Sequence, residues 1–158
     1  MIKLDAADLR ILAALQAQGR MTKLKLAETV HLSPTPCWER LRRLEQAGAI
    51  TGYAAQIDID RVVRLTTVLV EVTLKRHTHD DFARFEAAIR AEPLILQCDA
   101  TGGGIDYMLR VVAPDIDAYQ RLIDRLLVAD IGIDRYFSYI VTRPVKSVPV
   151  PLALLAAG

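Results

Sequence analysis

Cysteine, histidine and net charge are all in short supply in this chain, and each shortage narrows what the protein can do. Its 158 residues include two cysteines, Cys37 and Cys98. They stand far apart without the spacing of a metal site and form no Cys-x-x-Cys pair, so both are expected as reduced thiols in a cytoplasmic protein. Three histidines are present, His31, His77 and His79. The last two could pin a metal only with a third ligand, and no cysteine or further histidine stands near them in sequence, so they read as an exposed loop pair; no cofactor is expected. A P-loop, a dinucleotide glycine fingerprint and a nucleophile elbow are all missing. Asp5 and Asp8 interrupt any signal-peptide-like opening. The longest apolar stretch, Val150 to Ala157, contains Pro151 and falls far short of the roughly 20 residues a bilayer requires, so no membrane partner is expected and the protein reads as soluble.

Charge is equally uninformative in bulk. The formal net charge is +1. Residues 1–60 carry 8 Lys/Arg against 7 Asp/Glu and the remainder 12 against 12. Any contact with nucleic acid must therefore be argued from where the charges sit. Composition is that of a globular chain, with 52% hydrophobic and 25% charged residues, and its length suits one domain or two small ones.

What is present is a device repeated three times near the N-terminus. Leu4-Asp5 precedes a helix with Leu9 at its fourth position, the arrangement of a capping residue with a hydrophobic staple. Met21-Thr22 repeats it with Leu26, and Leu32-Ser33 with Cys37. Pro34 falls at the first helical position, where its missing N–H costs nothing. Gly19 and Gly48 stand where left-handed caps would end the first and third helices. Helices are expected at about 6–18, 23–30 and 34–47, the last two joined by only His31-Leu32-Ser33, which is a helix-turn-helix signal shared with plain helical hairpins.

The third of these helices sharpens the reading. Cys37, Leu41 and Leu44 recur at core-facing spacing, which leaves Thr35, Trp38, Glu39, Arg42 and Arg43 outward. A recognition helix offers its N-terminal turns to base edges while flanking cations hold phosphates. Arg42 suits guanine or phosphate, Thr35 a phosphate or thymine methyl, and Trp38 sugar or base. Ser33, Pro36, Lys23 and Lys25 complete the candidate DNA-contacting set; the simpler reading of each of these side chains is a solvated surface residue, hardest to accept for an exposed tryptophan.

Behind a linker, with a strand expected at about 50–57 and a short helical turn near Asp58, the pattern becomes strand, helix, strand, strand, helix, strand. Val68, Val70, Val72 and Leu74 alternate along the first strand. Phe82, Phe85 and Ile89 line one helix, and Tyr119, Leu122, Ile123, Leu126 and Leu127 another. The order βαββαβ describes a ferredoxin-like sandwich with helices on one sheet face. The opposite face also carries apolar residues, such as Leu69, Met108 and Ile140, which implies a partner copy over it and hence a homodimer. The overall expectation is an α+β chain: a helix-turn-helix domain of winged type over 1–52, a linker strand and hinge over 53–65, a ferredoxin-like domain over 66–146 and a tail over 147–158. Pro149 and Pro151 favour an extended start to that tail, which would be disordered or packed on a partner subunit.

Between the two middle strands lies Thr101-Gly102-Gly103-Gly104-Ile105-Asp106-Tyr107. Three glycines can bare several backbone N–H groups, a donor set suited to a carboxylate, and Asp106 could meet an ammonium group. Read alone, the stretch is also an ordinary flexible hairpin.

Several runs resemble the Lrp/AsnC, or feast/famine, family of transcriptional regulators. They are Leu4-Asp5 with Asp8, Ile11-Leu12, Gly19-Arg20, Leu26-Ala27, Leu32-Ser-Pro-Thr-Pro-Cys37, Arg40-Leu-Arg-Arg-Leu-Glu45 and Gly48-Ala-Ile-Thr-Gly-Tyr53, with the likeness continuing to about residue 146. The resemblance implies a sequence-specific regulator of amino-acid or related nitrogen metabolism that binds double-stranded operator DNA. It also implies dimers assembling into tetramers or octamers, with a small amino-acid-like effector bound between dimers. Gly103, Asp106 and Tyr107 match the family's Gly-x-x-Asp-Tyr loop, so Thr101, Gly102, Gly103, Gly104, Asp106 and Tyr107 form the candidate effector site. Gly104 departs from the acidic or aromatic residue often found there. Asp115 matches a position linked to effector response, and equally suits a plain helix cap. Trp38 stands where many members carry an aliphatic residue, and Met21-Thr-Lys-Leu-Lys with Cys37-Trp38-Glu39 is similar to members associated with ectoine breakdown. Siroheme decarboxylases resemble the same family and share its two-part layout, so an enzyme of that kind is one alternative, and a sensing module without DNA contact is another.

Overall fold

A computed structural model describes residues 2–155, which divide into two compact units. One comprises residues 2–57 together with residues 146–155, and the other spans Asp58–Val145.

The helical unit is built from α1 (Ala6–Ala17), α2 (Lys23–Thr29) and α3 (Pro34–Gln46). Ile11, Leu26, Val30, Cys37, Leu41 and Leu44 form its core, with Leu4, Leu12, Leu15, Met21, Leu32 and Ile50 packed around them. Each helix begins where a capping residue stops the chain, although the three caps differ. Asp5 and Asp8 form a reciprocal capping box at α1, each carboxylate accepting the other's backbone N–H, so two otherwise orphaned donors are satisfied together. Thr22 accepts from Lys25 at α2. Ser33 occupies the N-cap of α3 but makes no capping bond with its side chain, because Pro36 at the third helical position has no N–H to offer.

The C-terminal ends also depart from expectation. Gly48 takes the left-handed conformation after α3, at φ +70°. Gly19 does not, and α1 instead ends at Gln18 in extended backbone. The left-handed role near α2 falls to His31, at φ 55°. There the Leu32 N–H reaches back to the Ala27 carbonyl at 3.0 Å, which closes the turn between α2 and α3 in the manner of a Schellman cap. No strand forms over 50–57. An extended segment needs a neighbouring strand to make a ladder, and none lies beside it among the described residues. The turn near Asp58 does form, as α4 (Ile59–Val62) in the second unit. The tail forms a short helix, α7 (Leu152–Leu155), lying against α1.

The second unit is the expected ferredoxin-like sandwich. Strands β1 (Thr66–Leu74), β2 (Ile95–Ala100), β3 (Tyr107–Ala113) and β4 (Ile133–Ile140) form one antiparallel sheet in the order β2-β3-β1-β4. Helices α5 (His79–Ala91) and α6 (Ile116–Val128) supply the other layer. Val68, Val70, Val72 and Leu74 of β1 and Tyr107, Leu109, Val111 and Ala113 of β3 join Phe85 and Ile89 of α5 and Tyr119, Leu122, Ile123 and Leu126 of α6 in one core. Central strands β1 and β3 therefore read as strict alternation, whereas β2 and β4 lie at the edges.

The opposite sheet face is set by register. Leu69 lies opposite Tyr139 and Arg110, and Glu71 opposite Phe137 and Met108. Phe137 and Tyr139 are both about half exposed, and the Tyr139 hydroxyl donates to Glu71 at 3.3 Å. Ile140 corrects the sequence reading: it pairs with Val68, whose side chain faces the helices, so it belongs to the helix-side row, at the strand's exposed end. Among the described residues no helix is long and apolar enough to cross a membrane.

Phe85 is the largest fully buried side chain of the sheet unit, its ring 4.5 Å from that of Tyr107. Phe85→Ala is expected to cost about 3–5 kcal/mol, the range for truncating a buried phenylalanine, measured by denaturant unfolding.

Candidate nucleic-acid interface and effector loop

Helix α3 presents the predicted stripe as expected. Thr35, Pro36, Trp38, Glu39, Arg42 and Arg43 are all exposed, while Cys37, Leu41 and Leu44 are buried beneath them. Pro34 and Pro36 shape what the start of this helix can do. Two of its first three residues lack an N–H, and the Cys37 N–H is taken by the Ser33 carbonyl at 3.1 Å. The Thr35 N–H is thus the open donor of the first turn. Beside it stand two hydroxyls, on Thr35 and Ser33, with no hydrogen bond of their own among the described residues. A helix start of this kind offers a phosphate a small, well-defined donor set.

The cations differ sharply from one another. Arg42 makes no ion pair among the described residues. Arg43 is committed to the Asp8 carboxylate, and Lys25 lies 3.5 Å from Glu28. Lys23, at the first position of α2, holds its ammonium 3.1 Å from the centre of the Trp38 ring. That cation–π contact fixes a positive charge against the one indole of the recognition helix and ties the start of α2 to the outer stripe of α3.

Sequence reasoning missed the group that holds this surface together. Asp8 is fully buried. It accepts from Arg40 at 2.9 Å and from Arg43, and Arg40 also reaches Asp5 at 2.6 Å. One carboxylate therefore closes the capping box of α1 and clamps two arginines of α3. Spacing betrays the first job, since residues three apart flank a helix start; nothing local announces the arginines more than 30 positions away. The Asp8 N–H on the carboxylate of Asp5, followed by Arg40, holds the Asp5 carboxyl down to a pKa of about 2.

In the second unit the glycine loop joins β2 to β3. The Thr101 N–H donates to the Asp106 carbonyl and the Thr101 hydroxyl to the Ile105 carbonyl, both at 2.8 Å, closing the loop at its neck. Gly103 sits at φ +141°, a conformation essentially reserved for glycine. The N–H groups of Gly102, Gly103 and Gly104 have no acceptor among the described residues, and open space surrounds all three. The bare donor set read from sequence is therefore present.

Its expected companions are placed differently. The Asp106 carboxylate accepts the Leu74 N–H at 2.7 Å and lies 3.0 Å from His77 Nε2. Burial raises its pKa, but these two contacts outweigh burial and leave it below the ordinary range. Asp106 thus ties the loop to the end of β1, with only part of its carboxylate facing out. Tyr107 is a core residue, 3% exposed, with its hydroxyl donating to Glu86 Oε1 at 3.1 Å. Burial first, and the Glu86 carboxylate second, push it up to about 12. Asp115 caps α6 by accepting the Ala118 N–H at 2.7 Å, and no hydrogen bond joins it to the loop. His79 is almost fully exposed beside Asp80.

Comparison with known proteins extends these observations. Residues 4–51 match the family model for a winged helix-turn-helix DNA-binding domain, and residues 67–151 that for the Lrp/AsnC ligand-binding domain. The transcriptional regulatory protein DoeX of Halomonas elongata is 54% identical over 145 residues, covering 92% of each chain. The leucine-responsive regulatory protein of Salmonella typhimurium is 39% identical over 143 residues, 90% of this chain and 87% of that one. Among solved structures, a Neisseria meningitidis transcriptional regulator in complex with L-Met superposes with a TM-score of 0.88 at 34% identity, covering 97% and 99% of the two chains. An AsnC-family regulator from Agrobacterium tumefaciens gives 0.89 at 32%, covering 96% and 99%.

Two outcomes are expected of the Asp5–Asp8–Arg40–Arg43 cluster. Asp8→Ala removes a buried acceptor of charged hydrogen bonds and half of a capping box, while the freed arginines can reach water; the expected loss is about 2–3 kcal/mol by denaturant unfolding. Because the folded pKa of Asp5 is depressed, its contribution is complete above the ordinary carboxylate range and fades as pH falls towards about 2, so acid unfolding should begin at lower stability cost in Asp5→Asn, with a flatter stability profile below pH 4 or so. An unchanged acid limb in that variant contradicts the assignment. A DNA-binding helix-turn-helix unit and an effector-binding ferredoxin-like unit, joined in this order and matched over nine-tenths of the chain, place the protein in the Lrp/AsnC family of transcriptional regulators.

Proposed function

We propose that this regulator binds operator DNA through Ser33, Thr35, Pro36, Trp38, Glu39 and Arg42 of the recognition helix region, with Lys23 and Lys25 on flanking phosphates. The observation that carries this reading is the sorting of cations on α3. Arg43 and Arg40 are spent on Asp8, whereas Arg42, on the stripe that also bears Thr35 and Trp38, has no ion pair among the described residues. Arg42 is accordingly the base-reading residue, and Arg43 supports the helix first and contacts DNA at most from its outer edge.

The effector is an α-amino acid or a related nitrogen compound. Its carboxylate is received by the open N–H groups of Gly102–Gly104, at the neck held by Thr101, and its ammonium by the outward part of Asp106. The L-Met bound by the Neisseria regulator and the leucine response named for the Salmonella relative support an amino-acid class. Tyr107 acts from beneath by fixing the position of Asp106, and Asp115 acts by setting the start of α6. The half-exposed aromatics Phe137 and Tyr139 on the open sheet face support a homodimer, with assembly to tetramers or octamers and effector sites between dimers. Binding then biases assembly, assembly sets the spacing of paired recognition helices, and that spacing sets affinity for multi-site operators in the cytoplasm. This is the role of a regulator and not of a catalyst, and addition of a porphyrin should give no bound absorption spectrum.

Fluorescence anisotropy against the gene's own upstream region tests the DNA half. Affinity should fall steeply with salt as counterions are released. Arg42→Ala should cost about 1–3 kcal/mol of specific binding and relax preference at one base position, while leaving unfolding stability unchanged. Equal affinity for random DNA sinks the reading. A thermal-shift screen of amino acids, with ectoine included, tests the effector half: the stabilising compound should also change oligomer size, and a compound that binds without altering either size or DNA affinity contradicts the coupling.

A further inference from the structure

The recognition helix carries the one tryptophan of the chain, and two features beside that ring pull it in opposite directions. Trp38 is 38% exposed on the outer stripe of α3. It borders a cavity of about 420 Å³ within the helical unit, whose apolar lining comes from Leu15, Met21, Leu26 and Leu41. Leu26 and Leu41 are themselves core residues. Tyr53, its hydroxyl donating to Glu45 at 2.8 Å, also lines the space. The cavity has room for an indole, and removing apolar surface from water is favourable. By the hydrophobic effect alone the ring would fold inward.

Lys23 accounts for its staying out. The ammonium lies 3.1 Å from the centre of the ring and makes no ion pair among the described residues. Helix α2 gives a lysine no support at this place. Lys23 is its first residue, no acidic residue stands in the first turn, and the helix dipole disfavours a cation at that end. The face of the indole supplies the attraction instead. Thr22, which caps α2 by accepting the Lys25 N–H at 3.1 Å, fixes the point from which the lysine reaches. An ammonium keeps to water, so it stays at the surface and holds the ring there with it. With its face so occupied, the indole offers DNA an apolar rim, a surface of the kind that recognises a thymine methyl group.

We propose that Lys23 is a specificity-determining positioning residue: its ammonium holds the Trp38 indole out of the adjoining cavity, so that the ring meets a thymine methyl group of the operator. The inference rests on the DNA contact assigned to Trp38 above and deepens it. A lysine that served only as a phosphate contact would weaken binding to every sequence alike. One that also aims the indole changes the response to a single thymine.

The test compares the full-length chain with Lys23→Met, Lys23→Arg, Trp38→Leu and the variant combining Lys23→Met with Trp38→Leu. In the free protein, Trp38 emission should move to shorter wavelength in Lys23→Met and be quenched less by acrylamide, as the ring enters the cavity. Lys23→Arg, which keeps a cation on the ring, should resemble the parent. Operator binding is then measured with each thymine of the upstream region replaced in turn by deoxyuridine, which lacks only the methyl group. For the parent and Lys23→Arg, one replacement per half-site should weaken binding about fourfold, the worth of one buried methyl group. Lys23→Met, Trp38→Leu and the double variant should all be indifferent to that replacement, and Lys23→Met should also lower the salt slope by about one. Emission unchanged in Lys23→Met overturns the positioning role, whatever the DNA result. A thymine effect that Lys23→Met keeps and Trp38→Leu loses also overturns it, and leaves the DNA contact of Trp38 standing. A thymine effect that Trp38→Leu keeps, or none in the parent, removes that base contact and the proposal with it, while the operator binding assigned to Arg42 is judged by its own variant.

Discussion

The helical unit depends on a single buried carboxylate. Asp8 lies in a core otherwise made of aliphatic side chains, a position that strongly disfavours a lone charge. It is stable there because every approach is occupied: the Asp5 N–H on one side, Arg40 and Arg43 on the others. The arrangement makes the start of α1 and the middle of α3 a single object. The orientation of the recognition helix is thereby set from inside the unit by an interaction with directional demands, whereas Cys37, Leu41 and Leu44 could tolerate small rotations about the helix axis. The same interaction partitions the arginines of α3 into two that build, Arg40 and Arg43, and Arg42, which has no ion pair among the described residues.

Much of the fold can be read from the sequence because its signals are local. Staples and caps placed the three N-terminal helices within a residue or two of their observed ends, and strict alternation along Val68–Leu74 and the Tyr119–Leu126 face identified the central strand and a helix over it. Errors arose where local cues compete with packing. Gly19 has the composition of a left-handed cap, yet α1 closes at Gln18, and His31 carries the positive φ that a glycine would take with less strain. Ser33 sits at a capping position whose natural hydrogen-bond donor is removed by Pro36. The segment over 50–57 has strand-like composition, but composition cannot provide a neighbour to pair with.

The candidate sites show the same divide. Outward positions on α3 follow from periodicity alone, and the open N–H groups of the glycine loop follow from the residue type. What periodicity cannot deliver is how a polar group is spent. Asp106 and Tyr107 match the family's loop pattern, yet one ties the loop to β1 and the other packs against Phe85 in the core. Lys23 looked like a solvated charge until the Trp38 ring appeared beneath it.

The division of labour on α3 has a consequence for how such a protein can diverge. Thr35, Trp38, Glu39 and Arg42 face outward and carry no part of the core or of the Asp8 clamp. On the proposed DNA-contact reading, substitutions there alter the operator preferred while the framework that aims the helix is retained, and copies made by gene duplication can acquire new targets without first acquiring compensating changes in the interior. The freedom is bounded at Trp38, because Lys23 rests on it: a change of that ring also releases a charge on another helix, so this position explores new sequences only in company.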